Sequence, residues 1–392
     1  MNINQIRLLA VCLLATFVIS GVVTTMGLIT PVAAEQFGIS VTDMASRFTW
    51  FTGGVFVGYI ASFVIFDRMS IRTALYLSYG AAVVAFVLMH LLDDLSALAI
   101  LFSVSGFAIS VAVCGSGTLI TQLWKDHARQ TVIVAQDALF NGGGVVFSAM
   151  AAWFTARALP FSSTYLVVVG VILLVLVLAV LSDFRKDLLQ EHDEDGPITT
   201  YWNAGIVIMG ISLALFMLAK IAVFIWAPQF VVERFDADGA LAGQFMGNVF
   251  IAALIGSLAG TWLVSRVSVK ILVYIYVCVS AFAVWQLLSV ATVQSALLLA
   301  YVYGFSVSAT FNAYVAFALT LVPKPSHRNI AYMLVMSSLG SSLAPLASSG
   351  MVEAGGEIAA SLWFCVVVLL VVLGSLVAGE LLGGRGAAND NF

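Results

Sequence analysis

Lys220 sits inside the apolar run Phe216-Met217-Leu218-Ala219-Lys220-Ile221-Ala222-Val223-Phe224, and Asp137 lies inside a second such run far from it in the chain. A cation at the centre of a membrane-crossing helix costs about 2.5–3.5 kcal/mol on insertion scales. It persists where it meets a solute or a coupling carboxylate, or, more plainly, where it forms a structural salt bridge or its stem carries the ammonium to an interface. Lys220 is read here as a substrate contact, which favours an anionic group on the substrate. Asp137 is the one acid well inside an apolar run, and Asn141 follows one helical turn later on the same face. Burial and a nearby cation act in opposite senses on a carboxylate's hold on its proton. That suits Asp137 to a coupling role, against the alternative of a packing or capping acid.

Further polar residues fall at helical spacing: Ser20, Thr24 and Gly27; Ser110, Cys114, Thr118 and Thr121; Tyr301, Ser308 and Asn312; Gln244 and Asn248. As a pattern they suggest a cavity lining. Lys220, Asn141, Asn312, Gln244, Asn248 and Tyr301 are the candidate substrate contacts, although ordinary interhelical hydrogen bonding accounts for any single one of them. The glycine groups Gly115-Ser116-Gly117 and Gly142-Gly143-Gly144 lack the following Lys-Ser and preceding strand of a phosphate loop, so close helix packing explains them. Cys12, Cys114, Cys278 and Cys365 all fall in apolar runs and read as packing residues. His90, His127, His192 and His327 stand at helix ends or in loops. No triad or metal set is visible, so no cofactor, metal or enzymatic role is expected. A Trp residue near several helix ends (Trp50, Trp153, Trp202, Trp226) fits an interfacial belt, and Arg47 an interface anchor.

The elements that must hold these residues follow from composition. With 62% hydrophobic and 9% charged residues, the chain exposes too much apolar surface for a soluble fold. Crossing ~30 Å of hydrocarbon takes about 20 residues of helix. Apolar runs predict twelve transmembrane helices, near 6-32, 45-66, 72-92, 96-122, 129-156, 163-182, 202-230, 240-264, 269-290, 294-321, 328-352 and 358-381. The all-α integral membrane fold expected is two six-helix pseudo-symmetric bundles, 1-182 and 201-381, joined by a cytoplasmic linker 183-200 and followed by a tail 382-392. The first run lacks a cleavage site and is expected to stay as a helix. Arg7, Arg68, Arg72, Lys125, Arg129, Arg185, Lys186, Arg266, Lys270, Lys324, Arg328 and Arg385 fall on one side, against Arg47, Arg157 and Arg234 on the other. Both termini are therefore expected in the cytoplasm, with the chain in a bacterial inner membrane. Basic residues are scattered singly, so nucleic-acid binding is not expected, and nothing calls for more than a monomer surrounded by lipid.

One internal repeat runs through the chain. Glu35, Phe37, Gly58, Arg68, Arg72, Gly106, Phe107, Ser110 and Gly142 recur as Glu233, Phe235, Gly256, Arg266, Lys270, Gly304, Phe305, Ser308 and Gly340, each 198 positions on. Nine matches at one offset argue for duplication of a six-helix unit. Parallel repeats of that kind build transporters whose site lies at the membrane midplane between the halves.

With six plus six helices, a charged central linker and inside termini, the chain resembles the major facilitator superfamily. Asp67-Arg68-Met69-Ser70-Ile71-Arg72 looks like a worn form of that superfamily's basic loop, with Phe63 and Ser70 where glycines are usual. Arg266 and Lys270 repeat its basic residues without the acid. The resemblance implies a cytoplasmic gate of Asp67, Arg68, Arg72, Arg266 and Lys270. Within the superfamily the chain is similar to fucose-permease-type symporters of the TsgA-like branch. Gly117-Thr118-Leu119-Ile120-Thr121-Gln122, Gln136-Asp137, Phe140-Asn141-Gly142 and Ile225-Trp226-Ala227-Pro228 carry that likeness. Sugar symporters of this type place carboxylates in the first and fourth helices, where this chain has none, and an acid or amide where it has Lys220. The expectation is a secondary active transporter of a small polar solute, with an anionic group favoured and protons as the coupling ion. The alternatives are a sugar symporter, a drug or solute efflux antiporter, and a receptor or scaffold without transport.

Overall fold

The computed structural model describes residues 3–92, 94–124, 126–184, 202–264, 266–322 and 327–389. Among them fourteen helices are described, in order: α1 (Ile3–Val23), α2 (Met26–Phe37), α3 (Val41–Arg68), α4 (Ile71–Leu92), α5 (Leu95–Leu123), α6 (Asp126–Thr155), α7 (Ser163–Val180), α8 (Ala204–Arg234), α9 (Gly239–Val264), α10 (Val269–Leu288), α11 (Val293–Ser308), α12 (Thr310–Leu319), α13 (His327–Gly355) and α14 (Ile358–Asn389). There are no strands among the described residues. All of the expected linker but 183 and 184 lies outside the described residues. Of the expected tail, 382–389 belong to α14 and 390–392 lie outside the description.

Among the described residues twelve candidate spans result, because α1 continues into α2 and the tenth span is built from α11 and α12. Side chains such as Leu91, Ile100, Trp262 and Leu298 stay exposed on the outside of the bundle, as a hydrocarbon solvent allows. Hydroxyl residues stand at both interruptions. Thr24 and Thr25 hydroxyls bond back to the carbonyls of Ser20 and Gly21 (2.7 and 2.8 Å), and Thr310 to that of Ser306 (2.6 Å). Side-chain bonds to the preceding turn compete with the helix ladder and bend it.

The repeat is visible in the backbone itself. Gly38 closes α2 in the left-handed region at φ 64°, and Asp236, 198 residues on, closes α8 at φ 47°. Both turns carry the same pair of bonds: Gly38 N to Glu35 O with Ile39 N to Ala34 O, and Asp236 N to Glu233 O with Ala237 N to Val232 O. The other two positive-φ residues, Ala158 (52°) and Gly356 (73°), are again a repeat pair. Helix caps recur too. Asp94 accepts from Ser96 N at the start of α5, and its counterpart Thr292 accepts from Ser295 N at the start of α11.

Packing inside each half follows suit. A side chain on Gly106 would strike the Phe51 carbonyl, and one on Gly304 would strike that of Val249. Gly58 rests on Ser110 and Phe107, and Gly256 on Ser308 and Phe305. In both halves α3–α5 and α9–α11 thus approach backbone to backbone through small residues.

Between the halves the contacts obey the same two-fold relation. Thr52 Oγ1 on α3 donates to Ser342 O on α13 at 3.1 Å, while Gly144 on α6 is covered by the Phe250 ring on α9. Residues 52 and 250 are repeat partners, as are 144 and 342. Near the axis Gly27 lies against the carbonyls of Phe224 and Ile225, its own repeat partner. Gly243 beside Ala152 and Gly239 beside Thr155 extend the contact toward the face away from the termini. Together these pairs close the interface on that far side.

Candidate functional site

Lys220 lies in α8 on the termini side of this seal. Its Nζ donates to the Val307 carbonyl at 3.3 Å and stands 5.7 Å from the centre of the Phe224 ring, one turn along the same helix. Val307 is the penultimate residue of α11. The last carbonyls of a helix lack a ladder partner and attract positive charge. The break in the tenth span therefore creates an acceptor, and the cation occupies it.

Asp137 projects from α6, in the other half. Asp137 and Lys220 interact electrostatically across the interface. No direct hydrogen bond joins them. Both side chains remain partly exposed although each is well inside a span. With the far side sealed, that exposure opens toward the termini. Asn141, one turn beyond Asp137, is 5% exposed, and its Nδ2 has no hydrogen-bond partner.

These residues are where the repeat fails. Opposite Lys220 the first half has Val22, and opposite Asp137 and Asn141 the second half has Val335 and Leu339. Around Asp137 the described parts of α1, α5, α7 and α9 supply no charge at this depth, and Glu35 of α2 stands at the far face. Arg7 of α1 reaches instead to the Leu181 carbonyl at the membrane edge, and α9 holds no Asp, Glu, Lys or Arg.

The remaining candidates lie elsewhere. Asn248 is buried and directs its Nδ2 to the Leu297 carbonyl within its own half (3.5 Å). Gln244 is exposed on the side of α9 that carries Ile251, Ile255 and Leu258. Tyr301, 40% exposed, shares a face with Leu298 and Phe305. None of these three makes a hydrogen bond to Asp137 or Lys220. Asn312 is exposed on α12, beyond the break. Polar spacing identifies a helix face without saying what that face meets. Ser20 and Ser110 serve packing: Ser20 Oγ donates to the Phe140 carbonyl at 2.6 Å, and Ser110 supports Gly58. Sequence reasoning missed the Val307 carbonyl and Phe224. Nothing in the sequence marked the first, since Ala309 is a strong helix former between two hydroxyl residues of a kind found in unbroken spans as well.

The loop residues all lie at the termini face. Asp67 and Arg68 end α3 and are exposed. Arg72 donates to Tyr76 Oη at 3.1 Å, and Arg266 lies over Trp262. Lys270 pairs with Glu380, which also accepts from Tyr274 (3.4 Å). Each of these contacts stays within one half. At the far face, a depression of about 390 Å³ between the halves is rimmed by Glu35 and Glu233 and floored by Trp226 and Gln229. Gln229 Nε2 donates to the carbonyls of Gly27 and Ile225 (3.4 and 3.2 Å), and Trp226 Nε1 to Ser348 Oγ (2.9 Å), so the floor is part of the seal. No group of three His, Cys, Asp or Glu able to hold a metal ion occurs among the described residues.

Twelve candidate spans in two pseudo-symmetric six-helix bundles, with two opposite charges in different bundles that interact electrostatically, define an integral multi-pass membrane protein of the transporter class. The profile of the Major Facilitator Superfamily matches residues 12–345, and the chain belongs to that superfamily. Among its relatives, a protein TsgA homolog of Yersinia pestis is 20% identical over 381 residues, 95% of this chain and 96% of that one. Another, from Buchnera aphidicola, is 20% identical over 356 residues, 91% of each chain. Among solved structures, the D-xylose-proton symporter superimposes with a TM-score of 0.74 at 15% identity, over 97% of both chains. The nucleoside transporter NupG does so with a TM-score of 0.72 at 12% identity, over 97% of this chain and 99% of that one.

Proposed function

We propose that this protein is a secondary active transporter of a small polar solute, working by alternating access and coupled to protons. The observation that carries the reading is the Asp137–Lys220 pair. It places two charges where the duplicated fold has valines, on opposite sides of the interface that must open and close. Intramembrane charges of this kind mark solute and proton paths. The bundles 1–182 and 201–381 are the two moving bodies, with both termini in the cytoplasm of a bacterial cell. Asp67, Arg68, Arg72, Arg266 and Lys270 frame the inner mouth. The structure is then the inward-facing state, and Thr52–Ser342 and Gly144–Phe250 are the contacts that part when the site turns outward. Proteins of the same fold that are a D-xylose-proton symporter and a nucleoside transporter support this class of activity.

Purified protein in lipid vesicles, given an inward proton gradient and a panel of labelled sugars, carboxylates and amino acids, tests the reading. Uptake of at least one solute above protein-free vesicles is expected, falling at least about tenfold in Lys220→Gln. The thermal midpoint of that variant should be unchanged or higher, because a desolvated cation is removed. A panel in which nothing moves refutes transport.

A further inference from the structure

Resting on that reading, we infer that the Asp137–Lys220 site takes a monoanion, bound through a carboxylate or comparable oxyanion group, together with one proton carried by Asp137. Two independent features lead there: the balance of hydrogen-bonding groups and the balance of charge.

The unspent groups at the site are mostly donors. An ammonium has three N–H bonds. That of Lys220 makes one bond, a long one, to the Val307 carbonyl, and its remaining donors are free to meet a ligand. The Asn141 amide N–H groups on the Asp137 face are buried and unpartnered. The nearby hydroxyls of Ser20 and Thr24 already donate to the carbonyls of Phe140 and Ser20. A solute made of acceptors fits such a site. A sugar, whose hydroxyls donate as well as accept, would find Asp137 as the one strong acceptor.

Charge narrows the class. The empty site is neutral when Asp137 is ionised and Lys220 protonated; no other charged side chain of α1, α5, α7 or α9 faces Asp137 at its depth, and Glu35 of α2 stands away at the far face. Adding a monoanion leaves one net negative charge in a low-dielectric surrounding, with the Phe224 ring beside the ammonium. A single proton on Asp137 restores neutrality, and uncompensated charge inside a membrane protein is costly. A dianion would leave a surplus even after that proton, whereas a zwitterion would need none. The inference is therefore an electroneutral pairing of one monoanion with one proton.

The test uses the full chain in detergent and follows its thermal midpoint with acetate, gluconate and benzoate as monoanions, succinate as a dianion, alanine as a zwitterion and xylose as a neutral sugar, since a ligand of the folded state raises the midpoint. At least one monoanion is expected to stabilise the wild type. Its apparent affinity should fall by up to about tenfold per unit rise in pH, the signature of one linked proton. Lys220→Gln should weaken binding at least tenfold, while Lys220→Arg keeps it, which separates loss of the charge from damage to the fold. Asp137→Asn should bind the same monoanion with no dependence on pH. Stabilisation by xylose or alanine without any monoanion overturns the inference and leaves the transporter standing. Succinate binding with the same single-proton slope overturns the charge argument. Monoanion binding that ignores pH in the wild type removes the proton from the site.

Discussion

Gly38 and Asp236 close one turn of the two halves, Ala158 and Gly356 another, and Asp94 and Thr292 cap equivalent helices. At the membrane centre the correspondence stops, with Val22 facing Lys220 across the repeat and Val335 facing Asp137. The difference separates two kinds of demand. Turns, caps and glycine contacts solve a folding problem that both halves share, so either half's solution serves. A binding site on a pseudo-two-fold axis gains nothing from two copies of one charge, which would repel, and it acquires opposite charges by departing from the repeat. The inner edges show the same freedom on a smaller scale. In the first half Asn4 and Arg7 tie α1 to the end of α7 through side-chain bonds to Asp183 and Leu181, whereas in the second half Gly205 packs directly against Gly379 and Gly383.

The comparison breaks most visibly at the packed glycines. Gly106→Val and Gly304→Val should each prevent proper packing of their half, because the new side chain meets the fixed backbone carbonyls of Phe51 and Val249 rather than a movable side chain. Overpacking costs about 1–3 kcal/mol and more when backbone must move. Thermal midpoints and the yield of monodisperse protein should fall together and by similar amounts in both variants. A large fall in one alone would show that the halves do not share their packing.

A smaller and opposite effect is expected at the left-handed turns. Ala158 holds a conformation that Gly356 adopts freely in the other half. Ala158→Gly should raise stability by up to ~1 kcal/mol, since a Cβ in the left-handed region costs about 1–2 kcal/mol and part of the gain returns as unfolded-state entropy. Asp236→Gly should act in the same direction, read as denaturant or thermal midpoint in detergent.

The smallest effect sharpens the comparison through pH. Hydrogen bonds from the Ser96 side chain and backbone hold the Asp94 carboxyl below its ordinary value. A carboxylate stabilised in the fold adds stability above its unfolded value, and that increment is lost as pH falls through the lower, folded value. Thr292 does the equivalent task with no titratable group. Acid should therefore loosen the start of α5 before that of α11, seen as earlier amide exchange at 95–98 than at 293–296, and Asp94→Asn should remove the difference.

Much of this fold could be read from the residues alone. Twelve runs of apolar sequence leave few arrangements in a bilayer, and the spacing of Gly58, Gly106 and Gly142 against their partners gave away the duplication. Lys220 and Asp137 stood out because a charge in hydrocarbon is conspicuous in any sequence. Their proximity was not legible, since it depends on how two helices from different halves meet. The break at Ala309 was equally hidden, because the hydroxyl-to-carbonyl bond made there by Thr310 is also made by Ser62, Thr118 and Ser348 in helices that run on unbroken. Gln244, Asn248 and Tyr301 show the converse: a polar residue in a span carries no mark of the side it faces.

The shared turns have one more consequence. From Gly38 to Ala158 and from Asp236 to Gly356, the paired turns, the Asp94 and Thr292 caps and the Gly58 and Gly106 contacts keep the offset of 198 despite wide divergence in side chains. No net insertion or deletion separates one copy from the other across four spans and the loops between them. What descended from the duplication is a ruler of chain lengths, on which nearly every letter has since been rewritten.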